Sequence, residues 1–159
     1  MCLEKRIGLS RLFKRTTLKF YKGNPNKIIG WKVIKINTKK KPRPPFVGVR
    51  KSFKVQEWIN EYDYRTDKGR DEILSDNNQY YSTGFHIMTT LPDAINFVKV
   101  FSGCHFNLKI IKVVCNRDSI VAYGRQSNSS VMVSEDMYIP KQRVRNGKTG
   151  ELTDLEIGI

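Results

Sequence analysis

Residues 1–54 carry 17 lysines and arginines against a single acidic side chain, Glu4, whereas residues 55–159 carry 12 against 14. The chain's net charge of +14 therefore originates in its first third. A block of like charge has no internal counter-charges on which to pack, so the first expectation is an anionic partner that neutralises it. Nucleic acid, an acidic protein surface and an anionic membrane all meet that requirement. Nucleic acid ranks ahead of a membrane, because Phe13, Phe20, Tyr21, Trp31, Phe46 and Phe53 interleave the cations as stacking on unpaired bases requires. The contact residues expected are Arg11, Lys14, Arg15 and Lys19 in the N-terminal segment, with Lys39, Lys40, Lys41, Arg43, Arg50 and Lys51 in and after a proline-stiffened stretch.

A chain of 159 residues with 39% hydrophobic content is long enough for one core and short for two. It has no apolar run of the length needed to span a bilayer, so no transmembrane segment is expected. The opening MCLEKRIGLSRLFKRTTLKF is basic without an uninterrupted apolar stretch, which argues against a secretory signal and leads us to read it as part of the mature protein. Cys2, Cys104 and Cys115 form an odd set without framework spacing, as fits a reducing compartment. Cys104-His105 lacks the second ligand pair of a zinc site, so no metal is expected.

Residues 1–27 read as a basic arm in which Leu3, Ile7, Leu12 and Phe13 allow either a short helix or an extended segment, ended by the turn signal Gly-Asn-Pro-Asn at 23–26. IIGWKVIKI (28–36) alternates and is rich in β-branched residues, which predicts a strand. NTKKKPRPPF (37–46) is expected to be a protruding basic loop, since its prolines remove backbone donors. Residues 47–58 read as a second strand pair or a strand running into a turn, and 59–79 as a polar surface excursion. YYSTGFHIMTT (80–90) predicts a strand with Gly84 at a bulge or close approach, followed by a helix over about 90–101. Thr90 and Asp93 have capping-box spacing there, Pro92 suits the first turn, and Leu91, Ile95 and Val98 share one face. Three more strands are expected at 108–115, 119–124 and 131–140, the last two joined by a polar hairpin loop, and the tail LTDLEIGI adds an edge strand. The class is α+β: a basic N-terminal arm (1–27) and a single domain (28–159) with a mostly antiparallel sheet and one main helix. Phe85, Ile95, Phe97, Ile111, Val113, Val121 and Val133 are the expected interior.

GWKV (30–33), EW (57–58), YYSTGFHIMTTLPDA (80–94), KVVCNRDSIVAYGRQ (112–126) and VMVSEDMYI (131–139) together resemble a widespread group of small proteins encoded by bacteriophages and prophages. Members of that group often begin MCL or MCG and carry a GFH(I/V)F…DA segment and a similar closing strand. The resemblance implies a viral accessory protein engaged in host–virus interaction, located in the host cytoplasm or the virion, and it supplies no reaction. In the order of its motifs the chain is also similar to ADP-ribosyltransferases of the NAD-binding type. Ser82-Thr83 precede GFHI and the helix, and Glu135 precedes Met-Tyr-Ile-Pro. That similarity implies NAD as cofactor and Ser82, Thr83 and Glu135 as site residues. It departs at the first motif, where an Arg or His would contact the dinucleotide and this chain has Trp31-Lys32, whose lysine lacks the planar fork.

His86 is flanked by Phe85 and Ile87 on an alternating strand, where a histidine facing polar neighbours or backbone is the commoner case than a ligand. Glu135 and Asp136 adjoin in a strand, so they cannot act as one carboxylate pair. Ser82 lacks a nucleophile-elbow context. The leading expectation is thus a non-enzymatic binder without a cofactor, with the NAD-dependent transferase as the alternative. Incubated with labelled NAD and host lysate, the purified protein is expected to transfer no label. Transfer by the parent that Glu135→Gln abolishes would establish the transferase instead.

Overall fold

The structure, a computed structural model, describes residues 3–45, 51–65, 68–69, 72–74, 80–101 and 107–158. Its elements in chain order are β1 (Lys5–Ile7), α1 (Leu9–Phe13), β2 (Lys19–Phe20), β3 (Lys27–Ile36), β4 (Pro42–Arg43), β5 (Trp58–Asn60), β6 (Glu72–Leu74), β7 (Tyr80–Ser82) and β8 (Phe85–Met88). There follow α2 (Leu91–Phe101), β9 (Lys109–Asn116), β10 (Ile120–Gln126), β11 (Ser129–Ser134), β12 (Asp136–Tyr138), β13 (Gln142–Asn146) and β14 (Leu152–Ile157). The fold is α+β, mostly antiparallel sheet with one main helix. The main sheet runs β1-β10-β11-β8-β3-β9-β12-β5, with β2 and β4 on β3 and the β13–β14 hairpin on β9, while β6 and β7 pair separately.

The β3–β9 ladder is the centre of the sheet and stays in register from Lys27 opposite Asn116 to Ile34 opposite Lys109. Opposed residues of an antiparallel pair project from the same face. One face carries Ile28, Ile34, Ile111, Val113 and Cys115, and is covered by Leu12 of α1, Leu18, Phe53 and Tyr64. Phe53, Tyr64 and Phe85 form an aromatic triangle there, with centroids 5.0, 5.8 and 6.1 Å apart. The other face carries Val33 and Ile110, with Met88, Val131 and Val133 beside them, under Ala94, Phe97 and Val98 of α2. Burying both faces of a sheet in this way explains why β9 reads IIKVVC, a run with few polar interruptions.

Capping fixes α2 in place. The Asp93 amide donates to Thr90 Oγ1 at 3.2 Å, and the Thr90 hydroxyl donates to the Asp93 carboxylate at 2.7 Å. The other carboxylate oxygen of Asp93 accepts from the Ser130 amide at 3.2 Å, which ties the helix start to β11. Loss of such a cap costs about 1 kcal/mol. Between β10 and β11 the turn is only Ser127-Asn128, both at positive φ (49° and 62°), the conformation of a tight primed hairpin. Gly84 sits at a close approach: a Cβ there would lie 2.6 Å from the Ser134 carbonyl oxygen. At Gly124 it would lie 1.9 Å from the carbonyl of Lys5, so β1 can pair with β10 only across a glycine.

Several boundaries differ from the expected ones. Described residues of the 1–27 arm belong to the core rather than standing off it: β1 pairs with β10, β2 with β3, and Leu3 and Leu12 are fully buried. Its leucines supply the apolar area that its cations conceal in composition. The 37–46 loop includes a short strand, because Pro42 and Arg43 pair at the edge of β3, where a missing N–H is tolerated. Residues 80–90 form two strands, β7 and β8, broken at Thr83-Gly84, and 131–140 also form two, broken at Glu135. The tail adds the expected edge strand, β14, which forms a hairpin with β13. Residues 46–50, where part of a strand was expected, lie outside the described residues. Phe85, Phe97, Ile111, Val113 and Val133 are buried as expected. Ile95 and Val121 are half-buried, the first under the Gly150 turn and the second at the β10 bulge.

Ile111 is fully buried at the centre of the ladder. Ile111→Ala is expected to lower unfolding stability by about 2–5 kcal/mol in urea titrations. A variant with the midpoint of the parent would put this side chain outside the core.

Candidate functional site

The expected contact cations divide into three groups. Arg11, Lys14 and Lys19 are exposed on the N-terminal segment, and Lys39, Lys40 and Lys41 are exposed on the β3–β4 turn. Arg43 is half-buried in β4, and Lys51 is exposed, with its ammonium 4.8 Å from the Tyr64 ring centroid. Arg15 is committed to the fold: its guanidinium donates to Tyr123 Oη at 2.7 Å and Ser130 Oγ at 2.8 Å, pinning the end of α1 to the sheet. Arg50 lies outside the described residues. Lys19 flanks Ile29 and Arg43 flanks Lys35, so the two groups sit at opposite ends of β3, about 20 Å apart by strand rise.

The β3–β4 turn is held by Asn37, whose side-chain oxygen accepts from the amides of Lys39 and Lys41 at 2.9 and 3.0 Å. Lys40 has a positive φ of 59° in that turn. Three consecutive lysines are thereby displayed on fixed backbone. Among the described residues, ion pairs join Lys54 to Glu57, Arg65 to Glu61 and Lys141 to Glu156, and none joins Arg11, Lys14, Lys19, Lys39, Lys40 or Lys41.

Ser82, Thr83 and Glu135 are carried by neighbouring segments, since Gly84 abuts Ser134. Ser82 is half-buried and Thr83 buried, but the Glu135 side chain is exposed, with its backbone bonded to Ser119 and Glu61. His86 is buried on the α2 face within 3.4 Å of Tyr81 Oη. Burial, with the Lys32 ammonium nearby, pushes its imidazole down to about 3, so it stays neutral throughout the range in which a histidine usually relays protons.

On the opposite face Lys32 is buried, donating from Nζ to the His86 carbonyl at 2.8 Å. Burial lowers its pKa to about 8, against opposing attractions to Cys115 and Glu61. The Cys115 thiol is pushed up to about 12 by burial, despite a hydrogen bond with Ser134. Such a thiol is inert as a nucleophile. Cys2 and Cys104 lie outside the described residues. Among the described residues no cluster of His, Cys, Asp or Glu could hold a metal, and no helix is long and apolar enough to cross a membrane.

One constellation was missed by sequence reasoning. Register places Trp31, Lys112, Val114, Tyr138 and Trp58 on the α2 face, across β3, β9, β12 and β5 in turn. Trp58 and Tyr138 have ring centroids 5.6 Å apart. Lys27 lies over Trp58 at 4.7 Å, and Lys112 and Arg145 lie over Trp31 at 5.7 and 5.5 Å. Trp58 and Tyr138 fall outside the basic third, where aromatic residues between cations were sought.

Comparison with family models, with curated proteins and with solved structures returns no match for this chain.

Lys32 gives the pH dependence of stability a signature. The unfolded chain keeps this lysine protonated to about 10.5, while the folded chain releases the proton near 8. Between those values the unfolded state binds more protons, so the lysine's contribution to stability rises with pH. Cys115 acts oppositely above its ordinary 9.0, because the folded state keeps that proton to about 12. Comparing the parent with Lys32→Met isolates the lysine: the parent is expected to gain about 3 kcal/mol on the variant across the window. Parallel pH profiles in urea unfolding would mean that the ammonium is solvated.

Proposed function

We propose that this protein binds nucleic acid without catalysing a reaction, its basic first third supplying the phosphate contacts. In the phage context that its motifs resemble, such a protein acts as an accessory factor on host nucleoprotein machinery or within the virion. The β3–β4 turn carries the reading. Lys39, Lys40 and Lys41 are exposed, fixed by Asn37 and, among the described residues, without a carboxylate partner, so their mutual repulsion is relieved by an external polyanion. The exposure of Glu135 and the depressed pKa of His86 favour binding over transfer chemistry, which needs an enclosed acid or a base poised near neutrality. An acidic protein surface offers the same counter-charge, and nuclease separates the two. Material captured from host lysate is released by nuclease if the partner is nucleic acid and retained if it is protein.

Log affinity for nucleic acid is expected to fall steeply with log salt. Lys39→Ala, Lys40→Ala and Lys41→Ala combined should weaken binding and flatten that slope by about 2–3, since each phosphate contact contributes roughly 0.7–0.9. An unchanged slope in a folded triple variant would remove the turn from the interface.

A further inference from the structure

We infer that the uncovered half of the α2 face is a stacking platform for single-stranded nucleic acid, an assignment that rests on the nucleic-acid reading above and narrows it. Helix α2 covers the Val33 and Ile110 end of this face. At the other end Ile29, Trp31, Lys112 and Tyr138 are half-buried around the buried Val114, and Trp58 is 43% exposed. The aromatic residues come from three strands of one rigid sheet. Tyr138 lies directly opposite Trp58 and opposite Val114, two residues along β9 from the partner of Trp31. Trp31 and Tyr138 are thus roughly 12 Å apart by strand spacing and rise. That leaves room for one base on Trp31 and another on the Tyr138–Trp58 pair, with the backbone bridging them. Sheet-borne aromatics stacking two or three unpaired bases are a recurrent solution for single strands, whereas duplex bases already stack on one another and present no free face.

Charge complementarity supports the same occupant. Lys27, Lys112 and Arg145 border the rings, and Lys19 flanks Ile29 at the edge. Asp136 shares the face, but its carboxylate accepts hydrogen bonds from Asn116 Nδ2 and Ser119 Oγ, both at 2.9 Å, so it is already engaged. The lysine stems allow each ammonium to leave its ring for a phosphate as a base takes its place. Arg145 also donates to the Gly150 carbonyl at 2.8 Å and Lys27 to Asn116 Oδ1, which leaves Lys112 for the first phosphate contact.

Trp31 and Trp58 are the two tryptophans of the chain, so intrinsic fluorescence reports on this surface. The experiment titrates the full chain with oligothymidylate and oligouridylate of about 12 nucleotides, and with a duplex of equal length. The expected result is quenching by a single strand, with tighter binding than to the duplex. Trp58→Ala and Tyr138→Ala should each weaken single-strand binding roughly 5- to 150-fold, while Trp58→Phe and Tyr138→Phe retain most of it. Circular dichroism confirms that each variant is folded. Equal or tighter duplex binding, or Ala variants that bind single strands like the parent, would overturn the platform and leave the nucleic-acid reading standing. No binding of any of the three probes would overturn both.

Discussion

The β3–β9 ladder is the constraint on which the rest of this structure depends. Every other strand of the main sheet is attached to it, directly or through one of its neighbours, and its alternation decides which residues meet α2 and which meet α1 and the Phe53–Tyr64–Phe85 triangle. A slip of β3 by one residue would carry Ile28 and Ile34 to the opposite face and put Trp31 in their place. Gly30 tightens the register further. A Cβ there would lie 2.3 Å from Ile87 Cγ2, so the layer beneath β3 closes only over a glycine.

The same alternation places one charge inside. Lys32 must share a face with Ile28 and Ile34, and the cost of burying it appears as its lowered pKa rather than as a missing partner, since His86 offers a carbonyl. Like Arg15, whose guanidinium bonds Tyr123 and Ser130, this buried lysine is committed to the fold. Among the described residues Arg11, Lys14 and Lys19 are exposed on the N-terminal segment and Lys39, Lys40 and Lys41 on the β3–β4 turn.

Fold class was legible because its signals are local. Alternation located β3, β9 and β10, capping chemistry located α2 at Thr90 and Asp93, and Gly84 announced a close approach. The N-terminal segment left a short helix and extended chain open and contains both, α1 with β1 and β2; what periodicity did not place is the burial of Leu3, Leu12 and Leu18 against distant strands. Prolines hid β4 for a similar reason, since only the pairing partner shows that their missing donors fall on an edge. The basic turn was visible as a charge run. Proline stiffening was expected there too, but the side-chain hydrogen bonds of Asn37 that hold the turn were not.

The platform was illegible for a topological reason. Residues 31, 58 and 138 are brought together by the strand order β3-β9-β12-β5, in which β9 separates the first residue from the other two and β12 inserts ahead of β5. No periodicity within a single segment encodes that order. In the proposed mode of binding the arrangement also divides the work. Rings on paired strands lose little freedom when a base stacks, whereas lysines on flexible stems lose more but travel further. A cation resting on an exposed ring is worth about 0.5–1 kcal/mol, close to the energy scale of a single solvated ion pair. Exchanging one for the other on ligand entry is therefore nearly balanced, and the net affinity of such a surface comes from stacking and from released counterions. On this account the aromatics set the preference for unpaired strands, and the dispersed cations of the first third set the strength and the salt dependence.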